Sequence, residues 1–147
     1  MLDMEKFREW MNTEENFNRY NGLEFTVLKE GYCEVEVNLT QQGRNPQGVA
    51  HGSLLFSLCD AVTGMAAATM NGGRSMLTQN ATIHYLRPGI SGRLKAVGRM
   101  LHCGRTTGLA RAEVFDENGK LLSIGEFTIF YTGEPVVLPE SGVGGKM

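Results

Sequence analysis

A chain of 147 residues, 41% apolar and 20% charged with a net charge of −2, is long enough for one domain with a real core. It has no basic cluster or arginine-rich run, which argues against nucleic acid as a partner. The N-terminal MLDMEKFREWM lacks the apolar core of a signal peptide, and the longest apolar run is broken by an aspartate, hydroxyls and glycine. Neither export nor a membrane span is expected, and the protein is read as cytoplasmic.

Residues 3–20 place Met4, Phe7, Met11 and Trp10 toward one side of a helix that Asn21-Gly22 ends, so 1–22 is expected as an N-terminal helix. Leu23 to Lys29 reads as a strand and Glu30-Gly31 as a turn. In Tyr32 to Thr40, Cys33, Val35, Val37 and Leu39 alternate with Glu34, Glu36 and Asn38, the period of a strand with one face buried.

The next stretch, NPQGVAHGSLLFSLCDAVTGMAAATMNGG, organises the chain. Between Arg44 and Arg74 its only formally charged residue is Asp60. Asn45-Pro46-Gln47-Gly48 is turn chemistry, His51-Gly52-Ser53 can open a helix with unpaired backbone N–H groups, and Asn71-Gly72-Gly73 closes it. A helix from about Gly52 to Met70, apolar nearly all round, must be buried. Ser53, Ser57, Asp60 and Gly64 fall on one line along it, a stripe read as facing a site and not the core.

Four more strands are expected over about 75–86, 92–102, 106–115 and 120–132, broken at Pro88-Gly89, at Gly104 and at a hairpin signal over Asp116–Gly119. This order predicts an α+β domain over 23–132, an antiparallel sheet curled around one long helix. Residues 133–147, rich in proline and glycine, read as a loose tail. A second copy of the chain would complete the cover of so apolar a helix, although sequence leaves a monomer open.

Cys33, Cys59 and Cys103 show no CxxC or Cys/His metal spacing. They are read as small apolar residues of strands and helix. No disulfide, metal or cofactor is expected.

The run N-P-Q-G-V-A-H-G-S, with an aspartate eight residues after the H-G glycine, the strand T-I-H-Y-L-R-P-G and the later G-R-T-T, resembles the hotdog-fold acyl-CoA thioesterases of the phenylacetate-pathway (PaaI-like) type. The resemblance spans about Leu23 to Tyr131. It implies a hotdog fold, a curved antiparallel sheet wrapped around one long central helix. It also implies a homodimer joined edge to edge, often a dimer of dimers, and hydrolysis of an acyl-CoA thioester in which coenzyme A belongs to the substrate. By position, Gly52 matches the glycine whose N–H polarises the thioester carbonyl and Asp60 the catalytic carboxylate. Asn45 and His51 match residues that shape the loop and helix start, and Thr78 a hydroxyl that can orient water. The family pattern is usually H-G-G; here Ser53 replaces the second glycine, which bears on the width of the acyl pocket more than on the chemistry.

Thioester hydrolysis needs a donor where charge develops on the carbonyl oxygen, and a helix N-terminus supplies free N–H groups and a positive dipole end. Asp60 can activate water as a general base or attack the carbonyl itself. Its structural alternative is a carboxylate hydrogen-bonded to Ser57 or to backbone. His51 and Cys59 lie eight residues apart, about 12 Å along a helix, which disfavours a Cys/His device. His51 is read instead as holding the loop by a hydrogen bond. Arg87, and Arg105 within the Gly104-Arg105-Thr106 stretch, stand at strand ends where they can meet the phosphates of coenzyme A or serve as ordinary surface arginines.

Two other functions fit the same fold: a non-catalytic acyl-CoA binding or sensor protein, and a hotdog dehydratase or hydratase. Gly52 and Asp60 are about 12 Å apart along one helix, so one thioester carbon would not easily meet both in a single chain. A two-fold dimer with antiparallel helices would bring Asp60 of one chain opposite Gly52 and Asn45 of the other.

Overall fold

A computed structural model of the chain describes residues 1–140. Its N-terminal segment forms two helices where one was expected over 3–20. Asp3 accepts the Lys6 N–H and opens α1 (Met4–Thr13), whose Phe7 and Met11 are buried while Met4 and Trp10 pack at the margin of the core. Thr13 then turns its hydroxyl back to the Glu9 and Trp10 carbonyls, and Asn16 accepts the amides of Asn18 and Arg19. That cap starts α2 (Phe17–Tyr20) afresh.

Helix α1 lies along β1 (Glu24–Lys29). Asn12 there imitates a neighbouring strand: its Nδ2 donates to the Phe25 carbonyl at 2.9 Å, and its Oδ1 accepts the Phe25 N–H at 2.7 Å. Arg8 donates to the same carbonyl at 3.2 Å. The backbone groups of Phe25, which an edge strand would otherwise offer to another chain, are thus already occupied.

The other strands are β2 (Tyr32–Asn38), β3 (Arg74–Tyr85), β4 (Arg93–Cys103), β5 (Thr107–Phe115) and β6 (Leu121–Pro135). All neighbours are antiparallel, in the order β1-β2-β4-β5-β6-β3. Strand β6 runs beyond the expected Thr132 because it stays paired with β3 as far as Arg74 opposite Pro135. Residues 141–147, within the expected tail, lie outside the described residues. Strand β3 forms the second edge of the sheet, with β6 as its one neighbour among the described residues.

The long helix α3 (Gly52–Ala68) packs on β2, β3, β4 and β5. Leu58, Val62 and Ala66 are fully buried against Phe25, Val35, Leu94 and Phe127, and burying one such Leu or Val contributes roughly 1.5–3 kcal/mol. The helix rests directly on β4 at Gly98, where a Cβ would come within 2.5 Å of the Val62 carbonyl oxygen. Any larger residue would push the helix off the sheet. Although the apolar run reaches Met70, α3 stops at Ala68, and Asn71, Gly72 and Gly73 all take positive φ (52°, 81° and 107°) to swing the chain into β3. No helix among the described residues is long and apolar enough to cross a membrane.

The expected polar stripe of α3 is open only in part. Ser53 and Phe56 are exposed and Ser57 and Asp60 half-buried, but Gly64 is buried under Met76 of β3 and faces no site.

Candidate active site

The loop before α3 is shaped by Asn45. Its Oδ1 accepts the amides of Gln47 and Val49 at 3.0 and 3.2 Å, and its own N–H donates to the Val49 carbonyl at 2.8 Å. The Ala50 and His51 amides then donate to the carbonyls of Gly89 and Gly43, at 2.7 and 2.8 Å. These bonds fix the helix start against the β3–β4 connection.

His51 caps α3. Its Nδ1 accepts the Ser53 N–H at 3.0 Å and lies 2.6 Å from the Ser53 hydroxyl, so the ring proton sits on Nε2. The His51 carbonyl accepts from Leu54 and Leu55. Of the four amides that open the helix, only that of Gly52 is left without a partner among the described residues.

That amide borders a cleft of about 290 Å³ lined by Asn45, Val49, Gly52, Leu55, Tyr85 and Arg87. Tyr85 has a role that sequence reasoning did not assign. Its hydroxyl donates to the Gly52 carbonyl at 3.0 Å, and its ring would stand 3.4 Å from a Cβ at position 52. Burial pushes the Tyr85 phenol up from its ordinary pKa, which keeps it a donor. The available signal was its place at the end of a strand whose alternation turns Ile83 and Tyr85 toward the helix.

Two turns further along α3, Asp60 Oδ1 accepts from the Thr78 hydroxyl at 2.7 Å. Asp60 does not bond Ser57, whose hydroxyl is taken by the Ser53 carbonyl at 2.7 Å. Thr78 comes just before a bulge in β3, where the register with β6 shifts between Thr78 and Asn80. The neighbouring Cys59 is fully buried, and burial, with the Asp60 charge adding to it, pushes its thiol up to about 12. A thiol so held is not a nucleophile at neutral pH.

The expected coenzyme-binding residues do not meet within one chain. Arg87 lies at the cleft beside the helix start and donates to the Leu121 carbonyl at 2.8 Å. Gly104, Arg105 and Thr106 form the short β4–β5 loop at the opposite end of α3, where Arg105 is exposed and forms no ion pair among the described residues. Among the described residues no group of three or more His, Cys, Asp or Glu side chains is placed to hold a metal.

The family model of the thioesterase superfamily matches residues 47–123, from the loop before α3 to the start of β6. The acyl-coenzyme A thioesterase PaaI of Escherichia coli is 32% identical over 104 residues, 70% of this chain and 73% of its own. The solved structure of the E. coli PaaI protein superposes with a TM-score of 0.81 at 25% identity, covering 88% of this chain and 93% of that one. A Streptococcus mutans protein solved bound to acetyl CoA gives a TM-score of 0.76 at 27% identity, covering 84% and 98%. With a six-stranded antiparallel sheet on one central helix and the family model matching more than half its length, the chain belongs to the hotdog-fold thioesterase superfamily, among its PaaI-like members.

Proposed function

We propose that this protein hydrolyses an acyl-CoA thioester to a free acid and coenzyme A, in a site built by two copies of the chain. The observation that carries this reading is the unpartnered Gly52 N–H at the start of a long helix, opening on a cleft. A thioester carbonyl oxygen there would accept the Gly52 N–H, and the helix dipole would favour the negative charge that develops on attack. One such donor contributes roughly 3–4 kcal/mol of transition-state stabilisation.

Asp60, oriented by Thr78, supplies the attack in one of two ways. As a base it takes a proton from water while the water oxygen bonds to the carbonyl carbon; as a nucleophile its oxygen forms a mixed anhydride that water then opens. In either route the C–S bond breaks, coenzyme A leaves as its thiolate, and the thiolate is protonated.

Eight residues of continuous α3 separate Gly52 from Asp60, about 12 Å. The sheet favours pairing through β3: α1 occupies the β1 edge, whereas β3 offers twelve residues with one neighbour. Two-fold pairing along β3 would set the two α3 helices antiparallel, with Asp60 of one copy facing Gly52 of the other. The same pairing would draw Arg87 and the partner copy's Gly104-Arg105-Thr106 loop toward one coenzyme. The acetyl CoA carried by the S. mutans relative supports this substrate class. The reading calls for no metal or cofactor and describes a cytoplasmic enzyme.

Release of free thiol from a panel of acyl-CoAs, followed with a thiol reagent, tests the proposal. Turnover that is lost in Asp60→Asn supports it. Tight binding without thiol release would point to a sensor, and hydration or dehydration of the acyl chain to a dehydratase.

A further inference from the structure

We infer that Arg74 is a positioning residue, holding the Gly104–Thr106 loop in the form that receives the coenzyme's phosphates; the inference rests on the substrate class proposed above. Arg74 is the first residue of β3, immediately after the three positive-φ residues that turn the chain out of α3. Its Nη1 donates to the Gly104 carbonyl at 2.9 Å and lies 3.3 Å from the Cys103 sulfur, and its Nη2 donates to the Arg105 carbonyl. The guanidinium carbon stands 3.7 Å above the centre of the Tyr131 ring. Tyr131 in turn donates its hydroxyl to the Ala67 carbonyl of α3 at 3.0 Å and its amide to the Thr106 carbonyl at 2.8 Å.

The carbonyls of Gly104, Arg105 and Thr106 are therefore each held, two by Arg74 and one by the residue on which Arg74 stacks. The loop also closes on itself through Gly104 N–H to the Thr107 carbonyl at 2.7 Å, and a Cβ at Gly104 would stand 2.9 Å from that oxygen. A loop of three residues tethered at each carbonyl has little freedom. The exposed Arg105 side chain is thereby presented from a fixed base.

Electrostatics point the same way. Arg74 forms no ion pair among the described residues, and neither does Arg105. Two guanidinium groups at one short loop, one on it and one bonded to its carbonyls, without a carboxylate paired to either among the described residues, raise the local potential where an anion would dock. A purely structural clamp needs neither an exposed arginine nor an uncompensated charge. Lysine cannot replace Arg74, because a single ammonium does not reach two carbonyls in a fork while stacking on a ring.

The test compares wild type with Arg74→Lys and Arg74→Gln, each alone and in an Arg105→Ala background. Substrates are an acyl-CoA and the same acyl group on pantetheine, which lacks the phosphates. Arg74→Lys is expected to raise KM for the acyl-CoA about tenfold, with kcat within about twofold and little change on the pantetheine ester. In the Arg105→Ala background the substitution should have no further effect, since both changes disable one contact. Amide hydrogen exchange at residues 104–107 of the ligand-free protein should accelerate in both variants. Equal losses on the two substrates, a loss confined to kcat, full additivity with Arg105→Ala, or unchanged loop exchange would each overturn the role of Arg74. If wild type itself fails to bind coenzyme A by calorimetry and treats the two esters alike, the substrate reading falls and the inference with it. That failure is visible without any variant.

Discussion

The Thr78 hydroxyl donates to Asp60 Oδ1 at 2.7 Å, a bond between an edge strand and the middle of the central helix. It holds one carboxylate oxygen, and Oδ2 has no hydrogen-bond partner among the described residues. A carboxylate anchored on one side and open on the other is suited to proton transfer or direct attack.

Asp60→Asn should therefore leave folding intact, because the amide oxygen can still accept from Thr78, while kcat falls by about a hundredfold or more. Near-normal turnover would remove Asp60 from the chemistry. Thr78→Ala is expected to cost less, about tenfold in kcat, and Thr78→Ser to recover most of it.

His51 is expected to act through the helix cap and not through proton transfer. His51→Ala should lower stability by about 1 kcal/mol, the usual value of an N-cap, and His51→Asn should restore most of it with activity retained. Paired thermal melts and turnover measurements check this. An inactive but fully stable His51→Asn variant would show that the imidazole does chemistry.

The shared site can be tested by complementation. Asn45→Ala and Asp60→Ala, each folded and inactive alone, should on subunit exchange recover about a quarter of wild-type activity, since half of randomly mixed dimers carry one intact site of two. If exchange is demonstrated and no activity returns, each site belongs to a single chain.

The buried thiols set a limit at alkaline pH. Burial raises Cys59 to about 12 and raises Cys33 as well, whereas in the unfolded chain a cysteine ionises near about 8.5. The unfolded state therefore gives up its protons first, so stability is complete below the unfolded value and declines as pH rises toward the folded values. Denaturant melts at a series of pH values should show this decline above about 8.5, less steeply in Cys59→Ala. A thiol reagent applied to the folded protein at pH 8 should label the half-buried Cys103 and leave Cys33 and Cys59 untouched until unfolding.

The sheet and the central helix were legible because their signals are periodic and local. Alternation in Cys33–Leu39 and the single charge in the Asn45–Gly73 run are visible without knowing what touches what. The break between α1 and α2 was not, because it depends on Thr13 and Asn16 bonding backbone instead of lying on a helix face. Gly64 was misread for a related reason: its helical phase is right, but Met76, twelve residues on, fills the space it leaves. Tyr85 and Arg74 act across 33 and 30 residues of chain, to Gly52 and Gly104. No window of sequence holds both ends of such a contact. Asn45, by contrast, bonds within four residues, and the Asn-Pro-Gln-Gly turn announced it.

On the pairing proposed through β3, the Asn12 amide on Phe25 would set a stopping rule for assembly. A sheet whose two margins both accept strands adds copies without end, whereas a sheet with one margin sealed can join a single partner and is then complete. Here the seal is the Asn12 carboxamide, joined by Arg8 at the Phe25 carbonyl, both carried on a helix that lies outside the sheet it protects. A chain lacking that first helix would lose the buried Phe7 and Met11 along with this seal, keep the Thr78–Asp60 bond, and, on the pairing proposed through β3, pass from closed pairs to ribbons.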